Sequence, residues 1–496
     1  MDAKRCLELL KRVDFGEIDG YGDPNLDQYF LDNNYWDRIL NTNVFYVAGR
    51  KGTGKSAIYR MIEEQSLSMG AIVHNTDFGE FPFQRLLQLS DNSFAKPSQY
   101  QSIWRYMILV DFCKLIAQNP VPEDDSNLHY QDIRHFIDNY IGSGILDIYR
   151  ELLSHTKKTE ISLAPDFLAG NVGREKTSSY NFSQCRDISE LNQELSNRVI
   201  NYLLSCHESR KIFIQFDRLD DNYNSLQDTQ DYLCAITSLL KYVYAFNTEL
   251  RRRKITNAKI IVYLRRDIFR EISKIDAESA RWDDYTYFID WVIDNTQMYE
   301  SSKLYALINK RIQVSLRDET IDFDDLFENV KIVLRSKKTV PVFKYIIDRT
   351  MHRPRDLIQF CKKIQIEAIN NDALQIQTIK SAEKEYCAWL VYEELRNEIN
   401  PIIDDIDELY VLLQEMGKKE YSLTDFYNRT KQFCDKQSRK ISTEELARTL
   451  YDAGILQNIN TMNSFTKMRN SFRNAGPLDK SMKVTPHLGV WRGISD

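Results

Sequence analysis

Eight residues, Gly49-Arg50-Lys51-Gly52-Thr53-Gly54-Lys55-Ser56, constrain this chain more than any other stretch. Before them runs Val44-Phe45-Tyr46-Val47-Ala48, too short for a helix and rich in β-formers. After them, Ser56-Ala57-Ile58-Tyr59-Arg60-Met61-Ile62 spaces its apolar residues at helical intervals. Glycines let the backbone curl so that consecutive N–H groups converge on one point. A helix beginning there adds its unpaired N–H groups and the positive end of its dipole. Strand, glycine turn and helix in that order make a cradle for an anion.

The pattern is a full GxxxxGK[ST], and it narrows the anion to a nucleoside triphosphate. Gly49, Arg50, Lys51, Gly52, Thr53, Gly54, Lys55 and Ser56 are the expected nucleotide-binding residues. Lys55 would reach the β- and γ-phosphates, and the Ser56 hydroxyl would hold Mg²⁺. No Asn-Lys-x-Asp stretch follows, which favours ATP over GTP. A second apolar run, Ile212-Phe213-Ile214-Gln215-Phe216, ends in Asp217-Arg218-Leu219-Asp220-Asp221. A carboxylate at the tip of a strand beside such a loop can hold the metal, the role given to Asp217. Asp220 or Asp221 could orient or deprotonate the attacking water. An apolar strand also ends in Asp simply to cap a turn, so the loop carries this reading. No Glu follows Asp217 directly, which points to slow or partner-dependent turnover.

Two arginine motifs come next. Leu264-Arg265-Arg266-Asp267 closes an apolar run at Ile260–Leu264, where Arg265 could meet the γ-phosphate or merely pair with an Asp. His352-Arg353-Pro354-Arg355-Asp356-Leu357 opens a helix; Arg355 could stabilise phosphoryl charge, although Pro there is also a good helix start.

Alternating apolar runs and helix-period segments predict parallel strands with helices on both faces. The strands are expected at 44–48, 71–74, 212–216, 260–264 and 285–289. Residues 1–40 read as a polar, extended lead-in and 41–300 as the α/β core. A helical insertion at about 80–186 decorates that core, 301–395 is an all-helical lid, and 396–496 is winged-helix-like. In that last section Ser422 with Asp425, and Ser442 with Glu445, have N-capping spacing. Two short strands, at 454–457 and 482–484, would make its wing.

The eight cysteines are scattered and read as reduced, buried thiols; the dispersed histidines suggest no zinc site. No apolar run approaches the roughly 20 residues that cross a bilayer. Met1-Asp2-Ala3-Lys4-Arg5-Cys6 lacks the apolar core of a secretory signal, so a cytoplasmic chain with no membrane partner is expected. Net charge is −6, yet Met416–Asp496 holds 14 Lys and Arg against 8 Asp and Glu. That local +6 makes 416–496 a candidate DNA contact, with a mixed solvated surface as the plain alternative.

Together these residues resemble the additional-strand, catalytic-glutamate (ASCE) branch of P-loop NTPases, near AAA+ initiator-type and STAND/KAP-like ATPases. Gly49–Ala57, Leu264-Arg265-Arg266-Asp267-Ile268-Phe269 and Arg353-Pro354-Arg355-Asp356 are similar to a prokaryotic family of stand-alone ATPases. The resemblance covers about residues 12 to 370. It implies a five-stranded 5-1-4-3-2 sheet, ATP as ligand, a helical lid and homo-oligomeric assembly through nucleotide-bearing interfaces. Asp217-Arg218-Leu219-Asp220-Asp221 departs from the AAA+ Asp-Glu pair toward the STAND pattern Asp-Gly-x-Asp-Glu. The expected function is an ATPase that switches conformation or assembly. By analogy, it would act with an effector protein in bacterial signalling or antiviral defence. The alternatives are a DNA-engaging loader, with Lys467, Arg469 and Arg473 on phosphates, and a scaffold that binds nucleotide without hydrolysing it.

Overall fold

The computed structural model describes residues 2–78, 83–87, 96–138, 188–219, 229–293, 298–334, 337–369, 371–400, 402–438, 440–462, 465–472 and 476–495. The chain divides into two units. One, the sheet unit, holds Asn34–Lys51 and Lys55–Ile289; the other, the helical unit, holds Met1–Asn33, Gly52–Gly54 and Asp290–Asp496.

The sheet unit is built on five parallel strands: β1 Tyr46–Gly49, β2 Ile72–Asp77, β3 Ile212–Asp217, β4 Ala258–Arg265 and β5 Thr286–Phe288. Their spatial order is β2-β3-β4-β1-β5, the order that the family resemblance implies. β4 therefore lies between β1 and β3, and the register sets Gly49 beside Arg265 and Asp77 beside Asp217. Every residue of β3 is buried, as parallel strands covered on both faces require, and its apolar run is interrupted only by Gln215 before Asp217. Beneath the strand tips, Tyr263 donates to Gln215 at 2.7 Å, and the Gln215 amide donates to Asn75 at 3.1 Å and to the Tyr59 carbonyl at 3.3 Å. This buried polar set ties β2, β3, β4 and the Lys55–Ser68 helix together.

The insertion is not decoration. Its helix Gln101–Gln118 buries 13 of 18 residues on all faces, so it needs cover all round. The helices Ile188–Ser205 and Thr229–Arg252 supply that cover. Asn192 donates to the Ser102 carbonyl at 2.9 Å, and the Trp104 indole donates to Ala235 at 2.8 Å. The helix expected at 133–153 is described only at its start, within Leu128–Phe136; the rest lies outside the described residues.

The helical unit begins with a helix, Ala3–Arg12, where the sequence reading had an extended lead-in. Asp2 caps it by accepting from the Arg5 N–H, and Cys6, Leu7, Leu9 and Leu10 form its buried face. Gln365 donates to the Leu10 and Val13 carbonyls at 2.9 and 2.7 Å. Residues 301–395 contain the helices Lys303–Leu316, Val342–Ile347, Pro354–Ile369 and Ile376–Trp389, then a π-helical turn, Leu390–Leu395. They are not wholly helical: β6 Ile332–Val333 and β7 Thr339–Val340 pair antiparallel. Two-residue strands are too short to show alternation in a sequence.

Three helices follow, Ile406–Met416, Leu423–Lys436 and Thr443–Asp452. Ser422 and Ser442 cap the second and third, each accepting at 3.1 Å from the N–H three residues on. An antiparallel sheet, β10-β8-β9, comprises β8 Leu456–Met462, β9 Phe465–Arg469 and β10 Lys483–Pro486, and the helix Leu488–Ser495 closes the unit. Three strands stand where two were expected, because β9 hairpins onto β8 from Asn458–Arg469 to Met462–Phe465.

Candidate functional site

β1 ends at Gly49 and the Lys55–Ser68 helix begins six residues later, so the loop spans a strand tip and a helix N-terminus. Gly52 and Gly54 have φ of +76° and +92°, left-handed values that glycine reaches without strain. The first turn of the helix carries no acidic residue, which leaves its positive end without a local counter-charge. Lys55 is buried, and its Nζ lies 3.5 Å from the Gly49 and Arg50 carbonyls. Among the described residues it makes no ion pair. A desolvated ammonium with two long contacts is poorly satisfied and suits an anionic partner.

Within the helical unit, the loop tip is gripped by main-chain contacts. Trp291 donates its indole N–H to the Thr53 carbonyl at 2.9 Å, and the Arg355 N–H donates to Gly52 at 3.3 Å. A Cβ on Gly52 would lie 3.0 Å from that of Arg355, so this approach needs glycine.

At the tip of β4, Arg265 forms a forked pair with Asp267, Nε to Oδ1 at 3.0 Å and Nη2 to Oδ2 at 2.5 Å. Desolvation works to raise the Asp267 carboxyl, but the Arg265 charge and hydrogen bonds, helped by Lys55, hold it below the usual carboxylate range. Arg265 thus stands beside Gly49 with two of its donors engaged. The neighbouring Arg266 places its guanidinium 5.3 Å from the centre of the Phe288 ring. Asp217 ends β3 at 2 % exposure. The chain turns at once, with Arg218 at φ +59° and its guanidinium on Asp77 at 2.9 Å. Ser56, at the start of the helix, is half-buried. Asp220 and Asp221 lie outside the described residues.

In the last motif, Arg353 and Arg355 have different environments. Arg353 is 1 % exposed and forks onto Asp356 with two contacts of 2.9 Å, while reaching Glu398 at 2.8 Å and Glu394 at 3.4 Å. Burial works against its charge, but the three carboxylates push its pKa well above the ordinary arginine value. Among the described residues the Arg355 guanidinium reaches Glu394 alone, with Nη1 3.3 Å from each oxygen. Glu394 and Trp291 were not singled out in the sequence; Glu394 lies 39 residues from Arg355 with no local signal.

A parallel sheet of this order, with a glycine loop between β1 and the next helix, is a P-loop NTPase fold. Residues 302–394 match the family described as FunZ-associated C-terminal helical domain. The chain is 24% identical over 414 residues to the transposon gamma-delta 80.3 kDa protein of Escherichia coli (strain K12), covering 79% of this chain and 52% of that relative. It thus spans about half the length of the curated relative it matches. A solved structure, the Aeropyrum pernix ORC2 protein in ADPNP–ADP complexes, overlaps 89% of this chain and 87% of its own at 12% identity and a TM-score of 0.35. At that score the overlap is too loose to assign anything to this chain. Among the described residues no helix is long and apolar enough to cross a membrane. The described cysteines are unbridged, and burial pushes the Cys113 thiol up to about 12.

Proposed function

We propose that this chain binds ATP with Mg²⁺ in the loop Gly49–Ser56 and hydrolyses it slowly, its nucleotide state setting conformation or assembly. The observation that carries this is Lys55: a buried ammonium with no ion-pair partner among the described residues, at the mouth of a glycine loop and a helix N-terminus. The loop amides would hold the phosphates and Lys55 would neutralise them. Ser56 and Asp217 would hold the metal, which would supply charge neutralisation at the phosphates. Such a metal keeps waters and phosphate oxygens as its other ligands. The absence of a group of three or more His, Cys, Asp or Glu suited to a metal among the described residues is therefore compatible with it.

β4 standing between β1 and β3 supports the additional-strand arrangement. Arg218 directly after Asp217, tied to Asp77, supports slow turnover, since the place of a Glu is taken by a cation. Asp220 or Asp221 remains the proposed water-positioning residue, and Arg265 and Arg355 the proposed phosphate sensors. Homo-oligomeric assembly and an effector partner belong to the same reading. DNA contact through 416–496 has weaker support. The Thr443–Asp452 helix, which would face a groove, exposes Glu444, Glu445, Arg448 and Asp452. Lys436, Lys480 and Lys483 are also paired with Glu408, Glu444 and Glu420.

Nucleotide binding and phosphate release by the full chain test the proposal. Lys55→Ala should abolish binding, while Asp217→Ala should keep binding and lose Mg²⁺-dependent release. Wild-type behaviour of both variants in both assays would overturn it.

A further inference from the structure

Separate elements of the helical unit bring positive charge to one place. Arg349, just past the helix Val342–Ile347, is 5 % exposed. It donates its Nε to Glu383 Oε1 at 2.5 Å and its Nη1 to the Tyr345 carbonyl at 2.9 Å. Glu383, in the helix Ile376–Trp389, is buried as well, and its other oxygen accepts from the Tyr345 hydroxyl. Arg492, in the closing helix Leu488–Ser495, brings its Nε to 3.5 Å from the same Oε1. Lys418 follows the helix Ile406–Met416, is exposed, and makes no ion pair among the described residues. Partial desolvation and then the charges of Arg349 and Arg492 hold its ammonium below the ordinary lysine value, and no described carboxylate opposes them.

Three cations thus meet one carboxylate, and that carboxylate is already engaged through both oxygens. Arg349 Nη2, the two terminal nitrogens of Arg492 and the Lys418 ammonium donate to nothing among the described residues. The backbone is closely set here: a Cβ on Gly489 would lie 2.1 Å from the Arg349 carbonyl, which fixes the closing helix against the Arg349 turn. Like charges gathered without counter-charge are costly, and an anion with several acceptor oxygens relieves that cost. A compact anion suits the place better than a running polyanion, because Glu415 and Glu420 flank Lys418 in the turn, Glu420 holding Lys483 at 3.5 Å.

We propose that Arg349, Arg492 and Lys418 form a binding site for a compact dianion, a phosphate group, which ties the closing helix and the turn at Lys418 to the helix Ile376–Trp389. None of its residues belongs to the Gly49–Ser56 loop, so the inference stands apart from the nucleotide reading. Occupancy sets how firmly the C-terminal helices are held to the section 302–394.

The test titrates inorganic phosphate into the full chain carrying Lys55→Ala, which silences the loop. Heat of binding and thermal unfolding are followed against chloride at equal ionic strength, below about 10 mM phosphate, where general exclusion of salt from the surface is small. Phosphate should bind with a dissociation constant on the order of 1 mM and raise the unfolding midpoint, and chloride should not. Arg492→Gln and Lys418→Gln should each weaken binding about tenfold, the worth of one charge-assisted contact. Lys419→Gln removes the neighbouring charge and should leave binding within about twofold. Equal weakening by all three variants shows diffuse attraction and overturns the site, as does phosphate acting no better than chloride. An oligonucleotide that binds more tightly than phosphate, and loses affinity in the same two variants, overturns the choice of a dianion. If Arg492→Gln fails to fold, Lys418→Gln decides, and unchanged phosphate affinity there overturns the site.

Discussion

Two lysines of the sheet unit, Lys55 buried and Lys259 half-buried, are held in opposite ways. Lys259, near the start of β4, donates to the carbonyls of Ile39 and Thr42 at 2.7 Å, Leu40 at 3.2 Å and Val44 at 3.5 Å. It closes the C-terminal end of the Tyr35–Leu40 helix, where carbonyls lack partners and a cation is favoured. Lys55, at the other end of the sheet, has two contacts, both 3.5 Å. One ammonium is saturated by its own chain and the other is not. Saturation marks a structural cation, while a buried charge left short of partners marks a site that a ligand completes.

The same substitution at both positions tests that contrast. Lys55→Met should weaken binding of an ATP analogue on the order of 100-fold, the worth of a charge-assisted contact, while thermal unfolding stays within about 0.5 kcal/mol of wild type. Lys259→Met should do the reverse, costing about 2 kcal/mol of stability from unpartnered carbonyls, with binding unchanged within twofold. A stability loss at Lys55 as large as that at Lys259 would break the comparison.

Proton linkage separates the pair further. Burial lowers the Lys259 pKa from 10.5 to about 8. Between those values the unfolded chain binds more protons than the folded one, so this group's contribution to stability rises with pH from about 8 to 10.5. Wild type should therefore gain on the order of 3 kcal/mol over Lys259→Met across that window. Parallel pH curves for the two proteins would contradict the assignment. The smallest effect is expected from Asp267→Asn. Its carboxyl is 55 % exposed, so stability should change by less than about 1 kcal/mol. Removing a negative charge near Lys55 and Arg265 should strengthen analogue binding about threefold, and weaker binding would show that the fork instead preorganises the site.

Much of the sheet was legible. β3 and β4 read as strands because they are short and mostly apolar, and the loop announced itself because its glycines answer a purely local demand on φ. The caps at Ser422 and Ser442 were equally local. The Ala3–Arg12 helix was missed although Cys6, Leu7, Leu9 and Leu10 carry a helical face, because neighbouring glycines and Pro24 made the segment look irregular. Gln101–Gln118 was read as a helix but misplaced as a surface one, although apolar residues on every face already demanded burial. The sequence points to Arg355 but gives no sign of what holds Arg353 and Arg355, because Glu394 lies 39 residues from Arg355 and Glu398 45 residues from Arg353.

By itself, then, the sequence determined the loop, the strand tips carrying Asp217 and Arg265, and the order of strands and helices, since each depends on neighbours within a few residues. Tertiary structure decided which charges are spent: Arg353 on three carboxylates, Lys259 on four carbonyls, Lys55 on almost nothing. Partners for a buried charge come from elements far apart in the chain, and the cost of leaving it unpaired exists only once packing has removed the water.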